Sequence, residues 1–118
     1  MIDLSKIEAI YLWAGPTDMR KGVNGLVGLA QGIMETDKMA HRLFIFCGRN
    51  KRNIKILEVD YDGYWLYQKV LVTGKFRWPK TVEGVAMIDK RQLQWLLEGL
   101  SPLQPTAHAN VLYPSNNV

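Results

Sequence analysis

The sequence predicts an α+β fold: an antiparallel β-meander with an N-terminal strand, one glycine-rich helix and a C-terminal helix. Three observations lead there. Val23, Leu26, Val27, Ala30, Ile33 and Met34 fall on one face at helical spacing. The stretch from 42 to 72 instead carries short apolar runs punctuated by turn signals, with Asp62-Gly63 as the strongest of them. Helical patterns flank these strands and do not alternate with them, which argues against a doubly wound parallel sheet.

Taken in order, "IEAIYLW" (Ile7 to Trp13) alternates like a strand and is ended by Gly15-Pro16. A helix of about four turns is expected from Met19 to Glu35, with Thr17 or Asp18 as N-cap because either side-chain oxygen accepts an orphan backbone N–H. Gly22, Gly25, Gly28 and Gly32 each weaken that helix by about 1 kcal/mol relative to Ala. Gly25, Gly28 and Gly32 lie in one arc, so another backbone is expected against them, either a strand of the domain or a second subunit in a homodimer. "RLFIFCG" (Arg42 to Gly48) is apolar on both faces and is placed centrally in the sheet. "RNKRN" is a charged turn. "IKILEVD" (Ile54 to Asp60) changes apolar parity between Ile56 and Leu57, which predicts a bulge. "YWLYQKVLV" (Tyr64 to Val72) returns as a further strand, "KFRWP" is a short extended piece, and "GVAMI" (Gly84 to Ile88) is a last strand. Asp89 then caps a helix bearing Leu93, Leu96 and Leu97, which stops at Glu98-Gly99. Residues 1–100 are expected to form a single domain, with 101–118 a partly ordered tail.

With 118 residues, 47% hydrophobic and 22% charged, the chain is long enough for one real core. No apolar run reaches the roughly 20 residues of a membrane span, no signal peptide is evident, and the lone Cys47 allows no internal disulfide. A cytoplasmic protein without membrane contact is expected. The net charge of +4 has a location. Residues 42–80 hold nine Lys or Arg against Glu58, Asp60 and Asp62, whereas the rest of the chain is slightly acidic. A basic centre rich in aromatics suits a polyanion surface, and equally a lysine-studded sheet edge that resists aggregation.

The stretch "GPTDMRKG" invites a phosphate-loop reading, but it lacks the glycine run, Pro16 removes a donor, and Asp18 sits where the anion would. Glu58, Asp60 and Asp62 alternate and could share one strand face, as a metal-dependent nuclease requires. The simpler account is a set of acids entering an Asp-Gly turn. Two histidines and one cysteine cannot supply the usual zinc spacing, and no nucleophile–base set emerges, so no catalytic residue, metal or cofactor is assigned. Binding remains. Arg49, Lys51, Arg52 and Lys55 lie within seven residues without an acid, and Lys69, Lys75, Arg77 and Lys80 extend the series. These eight are the expected nucleic-acid contacts. Trp13 and Trp65 are expected in the core; Trp78, beside Pro79 and between cations, suits either core or surface.

Several uncommon strings occur here in a recognisable order: "GPTDMRKG", Gly25-Leu26, "LFIF", a basic turn, "KIL", "DYDGYWLYQK" and "GKFRWP". Over roughly Ile10 to Leu100 the chain resembles the small TnpB-type accessory protein of insertion-sequence family sixty-six, which is distinct from the RNA-guided nuclease sharing that name. The resemblance implies a role in transposition of a bacterial insertion sequence. The cutting and joining would belong to a separate, larger transposase, and this chain would not be an enzyme. The implied partners are element DNA, the transposase, or both. Asp18, Arg20, Lys21, Asp62, Gly63, Trp65, Lys69, Gly74, Arg77, Trp78 and Pro79 match the family's signature. Arg20 and Lys21, cations that oppose the dipole of the expected helix, are with Trp78 the candidate partner contacts. A protein-interaction module alone, or a metal-dependent nuclease subunit using Glu58, Asp60 and Asp62, are the alternatives.

Overall fold

A computed structural model describes residues 2–36, 41–79 and 84–102. Five strands form one mixed sheet: β1 (Ala9–Pro16), β2 (Arg42–Cys47), β3 (Asn53–Val59), β4 (Tyr64–Val70) and β5 (Val85–Ile88), in the spatial order β4-β3-β2-β1-β5. Helix α1 (Val23–Thr36) lies between β1 and β2 in the chain, and α2 (Lys90–Leu97) follows β5. The α+β class is as expected, and β2 is central. The meander is corrected at one place: β1 and β2 pair in parallel, with Ile10 opposite Leu43 and Leu12 opposite Ile45. Parallel neighbours need a crossover, and α1 lies within it. β2–β3, β3–β4 and β1–β5 are antiparallel.

Each face of the sheet is covered differently. Leu26 and Ala30 of α1 pack on Ala9, Tyr11, Phe44, Phe46, Leu57 and Val59. Tyr11 stacks on Phe44 with ring centroids 5.1 Å apart. The opposite face holds Ile10, Leu12, Leu43, Ile45, Ile54, Ile56 and Ile88, closed by Leu93 and Leu96 of α2 and by Phe76 and Trp78. Fully burying each such aliphatic or Phe side chain contributes about 1.5–3 kcal/mol.

This double covering removes the expected bulge in β3. Ile56 and Leu57 point to opposite faces and both are buried, so the change of parity needs no extra residue, and β3 pairs without a register shift on either side. The irregularity falls instead in β1, between Leu12 and Pro16. Two other expectations are corrected. Helix α1 begins at Val23, four residues later than expected, and Thr17 and Asp18 do not cap it. No strand of the domain packs on the glycine arc among the described residues: a Cβ at Gly28 or Gly32 would have nothing within 4 Å, and one at Gly25 would meet only the Lys21 side chain. At α2 the reading holds in detail. Asp89 accepts from the Gln92 N–H at 2.8 Å, the Gln92 side chain accepts from the Asp89 N–H at 2.7 Å, and Gly99 ends the helix at φ +87°. The tail after residue 102 lies outside the described residues, although Pro102 itself is fully buried.

Candidate nucleic-acid interface

Three separate stretches of sequence meet at one end of the sheet. The first is the segment leaving β1. Pro16 lies opposite Cys47, and the Thr17 N–H donates to the Cys47 carbonyl at 2.8 Å. Thr17 is buried, and its Oγ1 has no hydrogen-bond partner. Asp18 then builds a turn of its own. Its Oδ1 accepts from the Arg20 backbone N–H at 2.9 Å, and its two oxygens take the Arg20 guanidinium at 2.8–3.2 Å. These hydrogen bonds from Arg20 hold the Asp18 carboxyl far below the usual carboxylate range. The pair is exposed, so its effect is to order the turn more than to stabilise the fold.

The second stretch is the β2–β3 turn. Gly48 donates to the Asn53 carbonyl at 2.9 Å, Lys51 donates to the Gly48 carbonyl at 3.0 Å, and Arg52 N–H donates to Asn50 Oδ1 at 2.9 Å. Lys51 takes a left-handed backbone, φ +61°, which a side chain rarely adopts. A Cβ at Gly48 would come 2.8 Å from Met19 Cγ, so this turn sits tight under the segment that leaves β1.

The third is the segment after β4. Leu71 N–H donates to the Arg52 carbonyl at 2.7 Å and Phe76 N–H to the Lys51 carbonyl at 2.7 Å. Phe76 and Trp78 plug the core beneath, and Trp78 Nε1 donates to the Trp13 carbonyl at 2.9 Å. Between them Arg77 is exposed, as is Lys75. Two open crevices result. One, of about 600 Å³, is lined by Pro16–Met19 and by Gly48, Arg49, Asn50 and Asn53. Its neighbour, about 430 Å³, runs from Ala14 past Arg49 and Lys51 to Trp78 and Pro79. Among the described residues Asp18 is the only acid in either lining, and Arg20 occupies it.

The expected contacts separate accordingly. Arg49, Lys69, Lys75 and Arg77 are exposed, and Lys51 is half-buried. Arg52 turns its guanidinium back onto the Leu71 and Val72 carbonyls. Lys55 is corrected outright: it is 8% exposed, and its Nζ donates to the Lys21 carbonyl at 2.8 Å, so it stitches β3 to the segment before α1. Trp78 is also interior, which leaves Arg20 and half-buried Lys21 of the expected partner set at the surface. Lys80 lies outside the described residues. Trp65, expected in the core, is 60% exposed on β4, whereas Trp13 packs against Phe46.

The carboxylates do not converge. Glu58 is buried, accepting from Tyr67 Oη at 2.7 Å and facing His41 Nε2 at 2.6 Å, while Asp60 folds back onto its own turn, accepting from Gly63 N–H at 3.1 Å. Burial and the Glu58 hydrogen bond push the Tyr67 hydroxyl up to about 12. Among the described residues no group of three or more His, Cys, Asp or Glu is placed to hold a metal ion. Nor, among them, is any helix long and apolar enough to cross a membrane. The His41–Glu58–Tyr67 network escaped sequence reasoning because His41 and Glu58 are joined only by strand pairing across 17 positions.

The segments that meet at the basic end are the same ones that carry the uncommon strings. Residues 8–107 match the family described as IS66 Orf2 like protein. The chain belongs to that family. Two relatives from Sinorhizobium fredii are similar along most of their length. The uncharacterized protein y4hO is 32% identical over 96 residues, covering 81% of this chain and 84% of the relative. The uncharacterized protein y4jC is 29% identical over 100 residues, covering 85% and 86%. No solved structure matches the chain significantly. Of the residues that carry the sequence resemblance, Trp78 and Pro79 are buried, whereas Arg20, Lys69 and Arg77 are exposed.

Proposed function

We propose that this IS66 Orf2-like chain is a non-catalytic accessory protein of insertion-sequence transposition, and that it holds duplex DNA against the basic end of its sheet. One observation carries the reading. Arg49 and Lys51 line the crevices, exposed Lys75 and Arg77 flank Phe76, whose N–H bonds to the Lys51 carbonyl, and the only acid among the described lining residues, Asp18, is already paired. Cations in that setting are available to phosphates, and each phosphate neutralised releases counterions, so affinity falls with salt. Buried Lys55 and Trp78 act beneath this surface, as its supports.

The test is a gel-shift series on element-end DNA across salt concentration. Binding is expected to weaken on a log–log line, and replacing Arg49, Lys51 and Arg77 together by Ala should reduce the slope by about 3, roughly 0.9 for each lost contact. No complex at low salt would refute direct DNA contact.

A second reading is supported by Arg20, whose side chain is 91% exposed while Asp18 holds it in place. An ordered, outward cation suits an acidic surface of the transposase. Co-purification with the transposase, with and without Arg20→Ala, tests this. An undiminished yield from the variant would refute it.

A further inference from the structure

Among the described residues, β4 is an edge strand without a partner on its outer side. The bonds from Leu71 N–H to the Arg52 carbonyl and from Asp60 N–H to the Gly63 carbonyl fix which residues face β3. Trp65, Tyr67 and Lys69 share the phase of Gly63 and Leu71 and spend their backbone groups on β3. Tyr64, Leu66, Gln68 and Val70 therefore aim theirs outward, as an open template for another strand. The apolar surface is concentrated at the same place. Of the eight large hydrophobic residues exposed among those described, Tyr61, Tyr64, Trp65, Val70 and Val72 lie on β4 or its two continuations. Natural edges are guarded by charge or proline, yet β4 has a single charge, Lys69, and no Pro.

We propose that two copies of this chain join edge to edge through antiparallel β4 strands, centred on Tyr67, to form one ten-stranded sheet. The register follows from the side chains. An antiparallel pair must match outward-facing residues with outward-facing residues, which permits only registers an even number of positions apart. Centring on Tyr67 opposes Tyr64 to Val70 and Leu66 to Gln68 as the hydrogen-bonded pairs. It sets Trp65 of one copy opposite Lys69 of the other. Both lie on the α2-covered face, since they pair with Glu58 and Ile54 of β3. An ammonium over an indole is a favourable contact, and a two-fold axis makes it twice. Shifting the centre to Leu66 or Gln68 loses it. Charge agrees along the strand as well. The hairpin tip with Asp60 and Asp62 comes alongside the end of the second copy that carries Arg52 and Lys69. Lys69 thereby serves the second copy before it serves DNA.

The dimer stands independently of the DNA reading, but the two together have a geometric consequence. A two-fold axis normal to the sheet keeps both copies' corresponding faces on one side. It separates the two β2–β3 turns by about 30 Å, counting strand rise and strand spacing. That is near the ~34–36 Å of one duplex turn, so element DNA with two-fold related contacts would be favoured.

Light scattering on the eluting protein should give twice the chain mass of 13.5 kDa. Gln68→Pro removes an outward N–H without touching the β3 ladder and should halve the mass, with an unchanged far-UV spectrum. Trp65→Lys should also halve it, by setting lysine against lysine. The exchange W65K/K69W restores complementarity and should return the mass to the dimer value, a result that stands even if Gln68→Pro fails to fold. A wild-type chain at the single-chain mass at all concentrations overturns the proposal and leaves the edge to a strand of another protein. A dimer that survives both Gln68→Pro and Trp65→Lys overturns it too.

Discussion

The two turns at the ends of β3 make an instructive pair. The β3–β4 turn is self-contained: Asp60 accepts from Gly63 and Asp62 backbone N–H groups, and its own N–H donates to the Gly63 carbonyl. Nothing outside four residues is needed. The β2–β3 turn holds its shape only with help from elsewhere. Met19 presses on Gly48, the backbone of the post-β4 segment bonds to Lys51 and Arg52, and Lys55 ties the adjoining strand to Lys21. The first turn is acidic. The second is basic and lines two crevices. A turn that borrows its support from distant segments can bring their side chains together, and a turn that supports itself cannot.

That contrast can be broken at chosen points. The largest effect is expected from Lys55→Ala, which removes a charge-assisted hydrogen bond and a buried stem and leaves the Lys21 carbonyl unmatched. A loss of about 3 kcal/mol in denaturant unfolding is expected; a loss no greater than that of an ordinary surface substitution would mean the stitch is idle. The two turn glycines come next. Gly48→Ala must displace Met19 Cγ and should cost about 2 kcal/mol, whereas Gly63→Ala enters open space and should stay within about 0.5 kcal/mol. Equal costs would erase the distinction between the turns. Adding Met19→Ala to Gly48→Ala should recover most of the first loss if the clash is its cause.

The smallest effect at neutral pH lies at Cys47, beneath the basic turn. Burial pushes its thiol up to about 11, with Lys51 pulling weakly the other way. A folded value above the ordinary value near 9 favours the neutral thiol in the native state. Its contribution is therefore complete below about pH 9 and is lost as pH rises toward 11. Thiol alkylation at pH 8 should be slow in the native chain and fast after unfolding. Rapid native labelling would show that the turn does not seal Cys47.

Legibility followed the same divide. The Asp62-Gly63 hairpin, the Asp89 cap and the Gly99 stop were all readable, because each is a contract among residues two to four apart. Lys55 was misread as a phosphate contact because four neighbouring cations look alike in a string. Only strand pairing shows that Lys55 faces the α1 side with Leu57, while Arg49 stays outside. Trp65 and Trp78 exchanged places for a related reason. Both sit among aromatics and cations, but Trp65 falls on an edge strand left partly bare, and Trp78 falls where the chain crosses an open part of the α2-covered face.

What the amino-acid order determined alone is the set of elements, the α+β class, the central place of β2 and the concentration of basic charge between 42 and 80. Those are consequences of local periodicity, turn chemistry and composition, which act over a few residues. Tertiary structure decided the parallel pairing of β1 with β2, the late start of α1, the exposure of β4 and which cations remain at the surface. Each of these depends on which side of a strand a distant segment covers, and burial against a distant segment is an energy that no short window of sequence contains.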